Sequence, residues 1–422
     1  MKVAQIKEKE PPKFLNSGSY GCTFRPGISC TAEGTLVDKY LTKIQRLKDA
    51  STREQEIGKK IKKIRNYEDY YAPILSNCKV FLSTVSETEI EKCKILSTET
   101  DGSVKYEANK IRYVGKNTLL KHLLAIYKSK PNSIMREIVN SHMALLEGFN
   151  RLSAAGIIHF DVKENNVMCE DKTGAPIIID FGLSIDETEL AKKEYNDAFY
   201  VYGPDYGPWC LEIAILGFAA NEIGETEEKT ESIAGYIGFG EAVQPKKWTD
   251  QAMKQEQLDK IIVDYVKQNY GLNELFSQAQ REEYRIKAQK YYNKYVGKPW
   301  AEVVIEILNS KNTWDNYGLA VVYLYIIRSL KLEEVSKIKE YKKYLEEVMM
   351  STPIERPTCE KTMLKIKEIF GKIPKRETRN MRTQIVAKAL KKENVEEVTK
   401  NVWETIKEEI KNEERIYKQS KQ

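Results

Sequence analysis

The hydrophobic pattern of this chain changes character once, and that change restricts the fold more than any other feature. Up to about residue 114 the apolar residues fall in short β-type runs around glycine turns: Lys13 to Phe24, Leu36 to Ile44, Val80 to Leu82 and Lys105 to Val114. One helix interrupts them, Thr52 to Ile64, with Ile57, Ile61 and Ile64 at helical spacing and lysines facing outward. From about Ser133 the period is helical, and Ile138, Met143, Leu145, Leu146, Phe149 and Leu152 mark a buried helix that Gly156 stops. Short apolar runs separated by polar turns fill Ile157 to Phe181, and helices dominate thereafter. Strands first and helices later predict an α+β chain, a small sheet-rich part followed by a larger helical one.

The 422 residues suffice for one large two-part unit or two to three ordinary domains. No stretch approaches the ~20 apolar residues that span a bilayer, and Met1 to Lys13 has no apolar core for a secretory signal. The expectation is a cytoplasmic chain with no membrane partner. The seven cysteines are scattered with no C-x-x-C pair, which predicts reduced thiols rather than a disulfide framework or zinc site. Three histidines are too few for a histidine-rich metal site. The net charge of +6 is modest, and in the segment 376–422 acidic residues interleave with lysines. That pattern argues for a solvated helix face and against nucleic-acid binding. Ile385, Ala389, Val398, Trp403, Ile406 and Ile410 are its inward positions, in an extension either packed or partly free.

Three segments carry chemistry. Asn16-Ser17-Gly18-Ser19-Tyr20-Gly21-Cys22 lies between two strand-like runs, and glycines there let backbone N–H groups approach a polyphosphate. A plain hairpin turn would look the same. Lys43 stands on the otherwise apolar strand Tyr40 to Ile44, so facing inward it requires a counter-ion. Glu54 shares the inward face of Ile57 and Ile61, with Glu56 as the more exposed second choice. Strongest is Gly156 to Met168, where Asp161, Lys163 and Asn166 stand on a loop between apolar runs. Phosphoryl transfer to a hydroxyl needs such a set: a carboxylate to orient the hydroxyl, a cation to balance charge and oxygen ligands for Mg²⁺. Asp180, at the end of the apolar run Ile177 to Ile179 and followed by Phe181-Gly182, is placed to be the main Mg²⁺ ligand.

In residue type and order these motifs resemble the protein kinase superfamily. Gly18, Ser19 and Gly21 look like the glycine-rich loop, with Asn16 where the first glycine usually stands. Lys43 and Glu54 match the strand lysine and its helix partner, and His159, Asp161, Lys163 and Asn166 match the catalytic loop. Lys163 looks like the serine/threonine class. Lys110 to Val114 resembles the hinge, with Ile111 guarding the adenine pocket and Tyr113 beside it. Tyr202 to Tyr206 looks like a peptide-binding loop closed by Glu212, Trp314 to Gly318 like the central helix whose Asp315 ties down the catalytic loop, and Arg356 like the partner of Glu212.

The resemblance covers roughly residues 13 to 370 and implies a bilobal protein-kinase fold. A tail at 1–12 would precede a β-rich N-lobe at 13–114 and a helical C-lobe at 115–370, followed by a charged helical extension at 371–422. A helical insert at about 217–313 would be a docking site for a partner or an elaborated surface. The implied activity is transfer of the γ-phosphate of ATP, with Mg²⁺ or Mn²⁺, to serine or threonine of a protein substrate. A pseudokinase serving as a nucleotide- or partner-binding scaffold is the alternative. The Ser-Gly-Ser-Tyr-Gly loop and the insert resemble kinases of large DNA viruses, for which the location would be host cytoplasm or virion. Phe160 departs from the family by replacing the arginine before the catalytic Asp, which argues against switching by activation-loop phosphorylation.

Overall fold

The computed structural model describes residues 11–17, 21–28, 39–45, 48–82, 85–93, 96, 105–190, 199, 201–223, 248–371 and 375–419. The β-rich first part closes as one antiparallel sheet of five strands: β1 (Lys13–Ser17), β2 (Gly21–Arg25), β3 (Tyr40–Gln45), β4 (Ile74–Phe81) and β5 (Lys105–Arg112), in the order β1-β2-β3-β5-β4. The alternation of strand side chains sends Cys22, Phe24, Ile44, Val80, Tyr106 and Ala108 into one small core. The register sets Lys43 of the central strand between Thr23 and Asn109. Helix α1 (Lys48–Ile61) packs against β4 and buries Ile57 and Ile61 in the larger core.

The expectation of reduced thiols is corrected here. Cys22 on β2 is disulfide-bonded to Cys93, 71 residues away, with Cα atoms 6.0 Å apart. Cys78 is also disulfide-bonded, while Cys169, Cys210 and Cys359 are free and buried. Spacing carried no signal because the bridge joins segments that only the folded sheet brings together. The cysteines therefore lend no support to a reducing compartment.

The rest of the chain is mainly helical. It comprises α2 (Leu119–Ser129), α3 (Ile134–Ala154), α4 (Leu211–Phe218), α5 (Gln255–Gln268), α6 (Tyr270–Leu275), α7 (Gln278–Tyr292), α8 (Trp300–Leu308), α9 (Trp314–Ser329), α10 (Ser336–Met349) and α11 (Cys359–Phe370). Two small sheets sit among them. One orders β6 (Asn117–Thr118), β8 (Val167–Cys169) and β9 (Pro176–Ile178) as β6-β8-β9, and the other pairs β7 (Ile157–Ile158) with β10 (Ile185–Asp186). Gly156 ends α3 with φ of 71°, a left-handed conformation that favours glycine. Helix α9 is buried on all sides, the mark of a central core helix. The expected α+β division is thus present.

The stretch expected as an insert is integral to this core: Leu258, Ile261, Tyr265 and Tyr284 belong to the same buried cluster as α9. Its glycine-rich patch, Gly235 to Gly240, lies outside the described residues. The C-terminal extension forms α12 (Lys375–Ala389) and α13 (Lys392–Gln419) and is packed. Ile385, Val398, Val402 and Ile406 are buried and Ala389 packs at the edge of the core. Trp403 and Ile410, expected inward, are each 47% exposed. Helix phase explains Trp403, which stands off the line along which Val398, Val402 and Ile406 recur every four residues, whereas Ile410 continues that line and is half-exposed because the burial along it ends after Ile406. Trp403 instead receives the Lys121 ammonium, 5.3 Å from its ring centroid. Among the described residues no helix is long and apolar enough to cross a membrane.

Candidate functional site

Lys43 cannot sit unpaired on a buried strand, and two carboxylates meet it. Its Nζ lies 3.0 Å from Oε2 of Glu54 on α1 and 2.8 Å from Oδ1 of Asp180, which is 137 residues away. Glu54 is the partner and Glu56 is not, since Glu56 faces solvent and pairs with Lys59. An amide network holds Glu54 from behind. Gln45 Nε2 donates to the same Oε2 at 2.9 Å, and Asn109 Nδ2 donates to Gln45 Oε1 and to Ser51 Oγ. Burial works against the Lys43 ammonium, but Asp180 and Glu54 outweigh it and hold its pKa above the ordinary lysine value. Burial raises the pKa of Glu54, with Lys43 pulling the other way. For Asp180 burial also opposes ionisation, yet Lys43, with help from Lys163, lowers its pKa to about 2. Asp180 is the open member of this triad, with its side chain 40% exposed.

The second group forms on the loop between β7 and β8. Asp161 Oδ2 accepts from Lys163 Nζ at 2.8 Å and from Asn166 Nδ2 at 2.9 Å, and the same amide nitrogen donates to the Asp161 carbonyl. The loop is pinned from below by Asp315 at the start of α9, whose carboxylate accepts the backbone N–H groups of His159 and Phe160, each at 2.9 Å. His159 stitches the loop to the strand before Asp180: Nε2 donates to the Ile179 carbonyl at 3.1 Å and Nδ1 accepts from the Asp161 N–H. Phe160 and Asp180 both have positive φ, 69° and 58°, a conformation that Asp tolerates better than most residues but that is uncommon for an aromatic side chain and, outside glycine, concentrated at functional sites. The Phe160 ring is buried among Phe199, Trp209 and Trp314, where an arginine side chain would find an apolar pocket.

The segment before α4 supplies the third wall. Tyr206 donates its hydroxyl to Asp161 Oδ1 at 2.6 Å. Asn269, between α5 and α6, holds this segment by donating to the carbonyls of Pro204 and Tyr206, and the Tyr265 hydroxyl donates to the Trp209 carbonyl. Glu212 forms two bonds to Arg356, of 2.7 and 3.1 Å, with both side chains at 0% exposure.

The structure therefore brings Lys43, Glu54 and Asp180 into one cluster and Asp161, Lys163 and Asn166 into another. Gly21 opens β2, and a Cβ there would stand 2.2 Å from the Ile44 carbonyl oxygen, so only glycine fits. Asn16 lies on β1, and Gly18 and Ser19 lie outside the described residues. Ile111, opposite Leu41 on β3, packs against the cluster of Ala72, Val114 and Ile177. Tyr113 lies under the Arg25 guanidinium, 3.4 Å from its ring centroid. Sequence reasoning missed Gln45 and Asn109 as site residues, and it placed Tyr206 in a peptide-binding loop without its bond to Asp161. Gln45 follows the apolar Ile44 and Asn109 follows Ala108, but each is followed by a basic residue, so the strand pattern did not single them out.

Asn166 spends its amide N–H groups on Asp161, which leaves the amide oxygen to serve as a ligand, and Asp180 is ionised and open. One carboxylate and one amide oxygen suit a hard cation such as Mg²⁺ or Mn²⁺ that takes its remaining ligands from phosphate and water. No family model matches the chain, and no curated protein matches it.

Proposed function

We propose that this chain is a protein kinase of bilobal architecture that transfers the γ-phosphate of ATP to serine or threonine hydroxyls of a protein substrate. The observation that carries the reading is the convergence, from distant parts of the chain, of a lysine held by two carboxylates with a separate carboxylate, lysine and amide group. A structural ion pair needs neither the exposure of Asp180 nor a second cluster beside it. In this reading Asn16, Gly18, Ser19 and Gly21 cover the phosphates, Lys43 grips the α- and β-phosphates, and Ile111 and Tyr113 border the adenine. Asp180 and Asn166 would hold Mg²⁺ or Mn²⁺, which supplies charge neutralisation at the phosphate oxygens. Asp161 orients the substrate hydroxyl and accepts its proton as the new oxygen–phosphorus bond forms and the bond to the departing ADP oxygen breaks. Lys163 offsets charge on the moving phosphoryl group.

One observation favours the second reading, a nucleotide-binding scaffold. The Tyr206 hydroxyl occupies Asp161 Oδ1, an oxygen that an incoming substrate hydroxyl would use. Transfer of labelled γ-phosphate from Mg-ATP to generic acidic and basic proteins, with Asp161→Asn alongside, separates the two. Transfer to serine or threonine that the variant loses establishes the kinase. Nucleotide binding without any transfer establishes the scaffold.

A further inference from the structure

Helix α13 does more than cover the core, because its far end reaches the segment that faces Asp161. Asp205, next to Tyr206, is only 6% exposed, and its Oδ2 lies 2.8 Å from Nη2 of Arg415. Its Oδ1 has no hydrogen-bond partner among the described residues. A buried carboxylate that is half satisfied is costly, and a guanidinium is the group whose paired donors can serve both oxygens. Between the segment and the helix lies a recess lined by Lys163, Tyr206 and Pro208 on one side and by Glu409 and Asn412 on the other.

The helix is attached in two different ways. Val398, Val402 and Ile406 are buried, and Thr405 hydrogen-bonds Ser329 on α9, so this length is part of the core. Beyond Ile406 the apolar anchoring stops among the described side chains, with Ile410 half-exposed. There Asn412 is buried at the recess, and Arg415, itself 46% exposed, bridges Asn412 Oδ1 and Asp205. Polar contacts at an exposed helix tip exchange readily with competing ions, whereas the apolar length does not.

Resting on the kinase reading of the same site, we propose that Asp205 is a subsite for a basic residue of the protein substrate, and that Arg415 fills it until substrate displaces the helix tip. The substrate class is then a protein segment carrying arginine or lysine near the phosphorylated hydroxyl. Arg415 acts as an internal competitor and links access to the site to the position of the last turns of α13.

The test uses the full chain and two fluorescent serine peptides, one with an arginine flank and one with glutamine in its place, read by anisotropy without ATP. Arg415→Ala should tighten the arginine peptide about fivefold and leave the glutamine peptide nearly unchanged. Arg415→Lys should keep the native affinity, and Asp205→Asn should erase the difference between the two peptides. Equal tightening of both peptides by Arg415→Ala, or no tightening of either, overturns the proposal. Binding is read independently of turnover, so a chain that never transfers phosphate refutes the kinase reading while these arms still decide the subsite. Arg415 is exposed, so its variants fold even if Asp205→Asn does not.

Discussion

Two charge clusters in this molecule use the same chemistry in opposite ways. Glu212 and Arg356 are both at 0% exposure and meet through two hydrogen bonds, a closed pair with no face left for a ligand. Lys43, Glu54 and Asp180 form an open triad in which one cation is shared by two carboxylates and Asp180 remains 40% exposed. Dismantling a closed buried pair leaves an uncompensated charge and costs stability. An open triad keeps a charge available, and its surplus of negative charge suits a cation and a phosphate arriving together. The contrast separates groups that hold the molecule's shape from groups placed to act on something else.

The comparison can be broken most sharply at the group formed by Asp161, Lys163 and Asn166, which stands on the open side of the contrast. Asp161→Asn should lower phosphoryl transfer about 10²- to 10⁴-fold with an unchanged denaturation midpoint, since it touches only groups on the loop and Tyr206. Steady-state transfer rates beside a guanidinium melt check this, and an unfolded variant would move Asp161 to the structural class. Next in size, Arg356→Ala should cost about 3–5 kcal/mol of stability by stranding Glu212, seen as a lower denaturant midpoint. A loss of activity with full stability would erase the distinction.

A smaller effect concerns His142, buried against Tyr323 at 3.9 Å between ring centroids and hydrogen-bonded to the Tyr341 hydroxyl. Burial lowers its pKa to about 3. The unfolded chain titrates near the ordinary value of ~6.5 and so binds more protons between those limits. Its contribution is therefore fully present above that value and is lost as the pH falls. Going from pH 7 to pH 5 should remove roughly 2 kcal/mol, and His142→Phe should flatten that slope in denaturation series at the two pH values. The smallest effect is expected at Glu56→Gln, whose pair with Lys59 is exposed: under about 1 kcal/mol and no change in transfer. Glu54→Gln, by contrast, should impair transfer. Equal behaviour of the two variants would refute the choice of Glu54.

Much of this was legible in the sequence. Lys43, Glu54, Asp161, Asn166 and Asp180 could be picked out because a charged or amide side chain beside apolar runs is expensive unless it is used. The α+β division followed from a change of hydrophobic period, a local property of the backbone. Trp403 was misplaced because hydrophobicity alone does not set helix phase when a long helix meets its neighbours along one narrow line, and Ile410 because periodicity does not say where along a helix the burial ends. The stretch at about 217–313 looked like an insert, yet Tyr265 and Asn269 within it hold up the segment carrying Tyr206.

What the sequence determined by itself is therefore what short-range chemistry dictates: periodicity, the stop at Gly156 and the residue types that cannot be buried idle. Only the tertiary structure decided that Cys22 meets Cys93, that Tyr206 donates to Asp161, and that Arg415 reaches Asp205. Each of these joins residues whose separation along the chain carries no information about their distance in space. Their meeting depends on how whole elements pack, and packing is set by the summed burial of many side chains rather than by the two residues that meet.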